Sequence, residues 1–75
     1  MNNHRRKQIQ EAMTHLSDAL NLVQEAGEEE QEAFDNLPEG IKEGERGEAM
    51  EAAISCLDDA AGAIEEAESQ LEDAI

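Results

Sequence analysis

Aromatic residues are almost missing from this chain: Phe34 stands alone, with no tyrosine and no tryptophan. A core built around bulky rings is thereby excluded. Cysteine occurs once, at Cys56, which excludes an internal disulfide framework. Proline also occurs once, at Pro38, and the five glycines are too few for a flexible linker protein. No apolar run approaches the roughly 18 residues of a membrane-spanning helix, and no signal-peptide core is present, so a soluble, cytoplasmic chain is expected. Cations are scarce too. Arg5, Arg6 and Lys7 open the chain, and beyond them only Lys42 and Arg46 offset 20 acids, leaving a net charge of −15. Such a surface repels nucleic acid and anionic membrane and attracts basic surfaces, so the expected partner is a protein with a basic surface.

What is present is periodic. In "SCLDDAAGAIEEAESQLEDAI" a large apolar residue returns every seventh position (Leu57, Ile64, Leu71), with alanine three positions after each. Counting back, Met50 and Ala53 belong to the same pattern. Toward the N-terminus, Ile9, Leu16, Val23, Glu30 and Leu37 form a matching row, and Ala12, Ala19, Ala26 and Ala33 follow its first four members. Taking the large residues as heptad position a and the alanines as d, the period is that of paired α-helices. The break lies at "NLPEGIKEGERGE", where Pro38 disfavours helix at Leu37 and Gly40, Gly44 and Gly47 lower helix propensity. The pattern predicts one all-α domain over 1–75: a helix over 5–36, a turn over 37–44 and a helix over 45–74, each helix roughly 45 Å long. The short connection implies an antiparallel two-helix hairpin. An a-against-d register pairs Ile9 with Ala74, Leu16 with Ala67, Val23 with Ala60 and Glu30 with Ala53, folding the chain about Lys42. Each layer then sets a large side chain against a methyl, which favours close helix approach.

A second apolar stripe runs along position e: Met13, Leu20, Gly27 and Phe34 on the first helix, Ile54, Ala61 and Ile75 on the second, with Glu68 interrupting it. In that register the stripe flanks the seam and stays wet in a monomer, so it is expected to mediate self-association into a homodimeric four-helix bundle, with Gly27 beside Ala61 as a close crossing point. Size argues the same way, since alanine layers in so short a chain supply few kcal/mol.

The acids are as regular as the core. Glu11, Asp18, Glu25 and Glu32 repeat along the first helix; Glu51, Asp58, Glu65 and Glu72 repeat along the second, with Asp59, Glu66 and Asp73 beside them. A solvated helix face is the ordinary explanation for such rows. Ordinary coiled coils, however, mix lysine with glutamate there, because like charges one turn apart destabilise a helix. Along a rod of roughly 45 Å the acidic part of the chain carries about one net charge per 2.5 Å, against about 1.7 Å for duplex DNA. These faces are the expected contact for a basic partner, and a nucleic-acid mimic is the sharper form of that expectation.

Catalytic and metal chemistry find no constellation. Glu30 and Glu68 interrupt apolar stripes, but the register separates them by roughly 22 Å along the axis. They read as snorkelling or register-setting residues. His4 falls near the terminus and His15 at the rim. Cys56 has no base beside it and is expected as a small buried hydrophobe facing Leu22. "LDDAAG" lacks the alternating oxygen ligands of a calcium loop, and no phosphate-binding glycine motif is present. No catalytic residue, metal or cofactor is expected, and the chain reads as a non-enzymatic interaction module. The alternative is a structural coiled-coil subunit of an assembly, packing through the e stripe. Arg5, Arg6 and Lys7 are expected near the acids of residues 65–73, relieving their repulsion.

The stretch "EEEQEAFDNLPEGIKEGERGEAMEAAISCLDDA", and "EQEAFDNLPE" within it above all, resembles a group of short acidic helical-hairpin proteins encoded in phage and bacterial genomes. Members often carry serine near position 44, where this chain has the weaker helix cap Gly44. The resemblance carries no activity and no site residue. It implies a phage protein in a bacterial host cell, the setting in which small acidic proteins bind and block host or defence proteins.

Overall fold

The first helix starts where a capping side chain is available. In the computed structural model, which describes Met1–Ile75, Asn2 adopts extended backbone and its Oδ1 accepts from the Arg5 N–H at 2.9 Å. That satisfies one of the free amide groups at a helix start. Helix α1 accordingly runs Asn3–Asp35, beginning earlier than the periodicity alone indicates. Its end follows from Pro38, whose ring disfavours helical backbone at Leu37. Asn36 closes the helix by donating to the Glu32 carbonyl at 3.1 Å.

The segment expected as a plain turn contains one turn of helix, α2, Glu39–Lys42. Pro38 suits this start, because the amide it lacks would have no intrahelical partner. Glu39 opens α2 and Lys42 closes it, each at the end its charge favours, and their side chains lie 3.7 Å apart. Lys42 also sits 5.6 Å from the centre of the Phe34 ring. Helix α3 then runs Glu45–Ala74 from an extended Gly44 that offers no side-chain cap. Glu45 and Glu48 in its first turn partly make up for this, since carboxylates there favour the helix dipole.

Placed end to end, α1 and α3 would span about 95 Å. The molecule measures 58 × 14 × 12 Å, so the two long helices lie side by side. Their contact is not the expected a-with-d seam. On α1 the half-buried positions are Ile9, Met13, Leu16, Ala19, Leu20, Val23, Gly27, Glu30 and Phe34, with Leu37 just beyond its end; on α3 they are Met50, Ala53, Ile54, Leu57, Ile64, Ala67, Glu68 and Leu71, with Ala61 buried. Apart from Ala19, Ala53 and Ala67 of the d row, these are the a and e rows. Of the d alanines, Ala12, Ala26, Ala33, Ala60 and Ala74 are exposed. The expected pairing of Ile9 with Ala74 and Val23 with Ala60 is therefore corrected. A β-carbon added at Gly27 would stand 3.8 Å from the Leu57 Cβ, which places an e residue of α1 opposite an a residue of α3. The reason is bulk. Burying Met13, Leu20, Phe34 and Ile54 removes far more apolar area from water than burying alanines, at about 25 cal/mol per Å².

Burial is thin even so. Only Gly47 and Ala61 are buried, and no side chain is completely shut off from water. Cys56, expected as a small buried hydrophobe opposite Leu22, is exposed, and Leu22 is 66% exposed, because the seam lies one stripe away from both. Ile75 ends the chain beyond α3 and is 45% exposed, outside the seam its stripe forms. Arg5, Arg6 and Lys7 make no ion pair with the acids of α3; the close oppositely charged pair is Lys42 with Glu39, and the His15 Nε2 lies 3.9 Å from Glu11 Oε1.

Candidate functional site

Small residues on facing helices leave a groove. Gly27 on α1 and Ala61 and Gly62 on α3 withdraw side-chain volume from one side of the seam, and an open concavity of about 740 Å³ results between the helices. Its floor is apolar, formed by Val23, Ile54, Leu57 and Ala61. A β-carbon at Gly62 would meet nothing within 4 Å, so the groove is open there.

Its rim is acidic. Glu28, Glu32 and Asp35 stand on the α1 side, Asp58 and Glu65 on the α3 side, and Gln24 and Gln31 fill the intervals. Gln31 Nε2 donates to Asp35 Oδ1 at 3.0 Å, which holds that carboxylate at the edge. No lysine or arginine lines the groove. An apolar floor beneath carboxylates matches side chains that combine an aliphatic stem with a cationic head, namely lysine and arginine.

The acids singled out by spacing divide into three sets. Glu32, Asp58 and Glu65 line the groove. Glu51 and Glu72 continue the α3 row beyond it. Glu11, Asp18 and Glu25 on α1, and Asp59, Glu66 and Asp73 on α3, are exposed and do not line it. Glu28 and Asp35 were missed, because their row flanks e and becomes a groove wall only once e is the seam. Glu30 and Glu68 are half-buried within the seam. No three side chains of His, Cys, Asp or Glu are gathered as a metal-binding group.

The structure also revises the charge density. A net charge of −15 over 58 Å is about one per 4 Å, sparser than duplex DNA at about one per 1.7 Å. Two copies side by side would carry about one per 2 Å, close to the duplex value. No helix is long and apolar enough to cross a membrane. No protein-family model, curated protein or solved structure matches the chain.

Proposed function

We propose that the chain is an antiparallel helical hairpin acting as a non-enzymatic interaction module, in which the groove and the acid rows beside it grip a basic surface on a partner protein. The hairpin rests on the Gly27–Leu57 approach, and on a groove that joins the middle of α1 to the middle of α3. Continuing that register about Lys42 sets Val23 against Ala61, Leu20 against Ile64, Met13 against Leu71 and Phe34 against Met50. The observation that carries the functional reading is the groove itself, where an apolar floor lies under five carboxylates and no cation. Paired as a homodimeric four-helix bundle, the molecule approaches the linear charge of a nucleic-acid duplex. The reading extends to a phage-encoded inhibitor that occupies a nucleic-acid-binding groove on a host or defence protein in the bacterial cytoplasm.

The assembly-subunit alternative needs the e stripe as a free surface. That stripe is engaged between α1 and α3, which weighs against it.

The test is a binding measurement on purified components. Bacterial proteins with basic nucleic-acid grooves are titrated with the chain at about 50 and 200 mM salt, with duplex DNA as competitor. The expected result is binding that weakens steeply with salt and excludes DNA, and that falls at least tenfold for Asp58→Lys with Glu65→Lys. Binding indifferent to salt and to those substitutions would overturn the reading.

A further inference from the structure

The groove collects Gln24, Glu28, Gln31 and Asp35 from α1 with Asp58, Gly62 and Glu65 from α3. All of these are heptad positions b and f, and Glu32 at c is the one further rim residue. Positions d and g of both helices therefore lie together on the opposite side of the rod. That side carries all the d alanines, and its g row includes Leu22, Ala49, Cys56 and Ala63. Of the 20 acids, Glu29 alone falls on these two rows, and Arg5 and Arg46 stand at their ends. A chain with a net charge of −15 thus keeps one long face nearly bare of charge. Leu22, the most exposed of its large apolar side chains, sits on that face near the middle of the span from Asn3 to Lys42.

We propose that a second copy of the chain docks on this uncharged face. The proposal names the surface for the pairing put forward above and shares its hairpin arrangement; it does not depend on what the groove binds.

Three observations select the occupant. The first is electrostatic. Two strongly acidic copies repel through every other face, whereas contact here leaves the carboxylate rows in water on the outer walls. A basic partner would gain nothing from this side. The second is area. A face 58 by 14 Å offers about 800 Å² per copy, the size of a standard stable interface per partner. The third is the thinness of the single chain's core, with two buried residues, which a second layer of helices would thicken. Alanine at the d positions between the terminal arginines, Ala12 to Ala33 and Ala53 to Ala74, allows the two layers to approach to about 8 Å. Leu22 lies near mid-length, so either parallel or antiparallel docking brings the two copies of it to the same level. Docking back to back leaves both acidic grooves facing outward.

Sedimentation equilibrium on the full chain at physiological salt tests this directly. Wild-type protein is expected at twice the 8.2 kDa chain mass in the micromolar range. Leu22→Glu is expected to weaken pairing at least about 30-fold, the effect of losing an interface hot spot. Leu22 is largely exposed in the single chain, so circular dichroism should show helix retained in that variant. Ala60→Glu is a second probe of the same face, and Asp59→Asn, on an acid row, is expected to pair as wild type does. Cys56 should react more slowly with a thiol reagent above the pairing concentration than below it. A lysine-rich amphipathic peptide should bind the unpaired Leu22→Glu chain as tightly as wild type, so a fault in the groove reading shows up apart from a fault in this one. Wild-type protein that stays at 8.2 kDa, or Leu22→Glu protein that pairs unchanged, would overturn the proposal.

Discussion

The backbone of Gly47, in the first turn of α3, presses directly on the carbonyl of Lys42 at the end of α2. A β-carbon at position 47 would overlap that oxygen and its carbon, and neither is the flexible end of a side chain that could move aside. Gly47→Ala should therefore cost at least about 2 kcal/mol, overriding the helix propensity that alanine normally adds. For a chain this short that is a fall in Tm of about 10 °C or more, measurable by circular dichroism. An unchanged Tm would show that α2 does not pack there as described.

Gly27 and Gly62 should behave in the opposite way. A methyl at Gly27 meets Leu57 at ordinary contact distance, and one at Gly62 meets nothing. Each Gly→Ala change is expected to stabilise by about 0.5–1 kcal/mol, because helix is favoured and no neighbour must shift. Gly62→Ala should also narrow the groove and weaken binding of a basic peptide, whereas Gly47→Ala tests the corner alone. Denaturant midpoints of the three variants give the comparison, and loss of stability at Gly27 would contradict the seam.

Lys42 is held from two directions, by the Phe34 ring at 5.6 Å and by Glu39 at 3.7 Å. Its side chain is 23% exposed. Replacing it with Gln removes the cation while keeping much of the stem, and should cost about 0.5–1.5 kcal/mol through the lost cation–π contact. Phe34→Leu should make most of that loss redundant, a coupling that a double-mutant cycle on chemical denaturation would read out. Additive losses would show that the ring and the ammonium do not interact.

Raising salt should raise the Tm. Like charge dominates both long helices, and screening shortens its reach from about 30 Å at 0.01 M to about 8 Å at physiological strength. Repulsion is released on unfolding, so screening favours the folded chain. Calorimetric scans across that range should show a steady upward shift, and a downward one would mean that attractive pairs outweigh the repulsion.

The all-helical class was legible from the seven-residue period alone, because nothing in strands repeats that way. The seam was not. Both a-with-d and a-with-e spacings recur every seven residues, so period cannot tell which flank of Leu57 turns inward. The choice is made by summed side-chain bulk. Met13, Leu20, Phe34 and Ile54 outweigh the alanines, and reading alanine as a close-packing residue pointed to the wrong flank. The groove was hidden by the same error, since Glu28 and Asp35 belong to rows that look like plain solvent positions until the seam moves. The short helix α2 was masked by the glycines around it, which lower propensity without forbidding a single turn.

In the proposed hairpin the two long helices are joined at one end, where Phe34, Lys42 and Gly47 crowd the corner. At the other end Ile9 and Leu71 are half-buried. Opening should therefore travel like a zip from that end toward the corner, with amide exchange fastest near Ile9 and Leu71 and slowest near Phe34 and Met50. A protease sampling the native chain would trim it from its termini and leave the crowded bend until last.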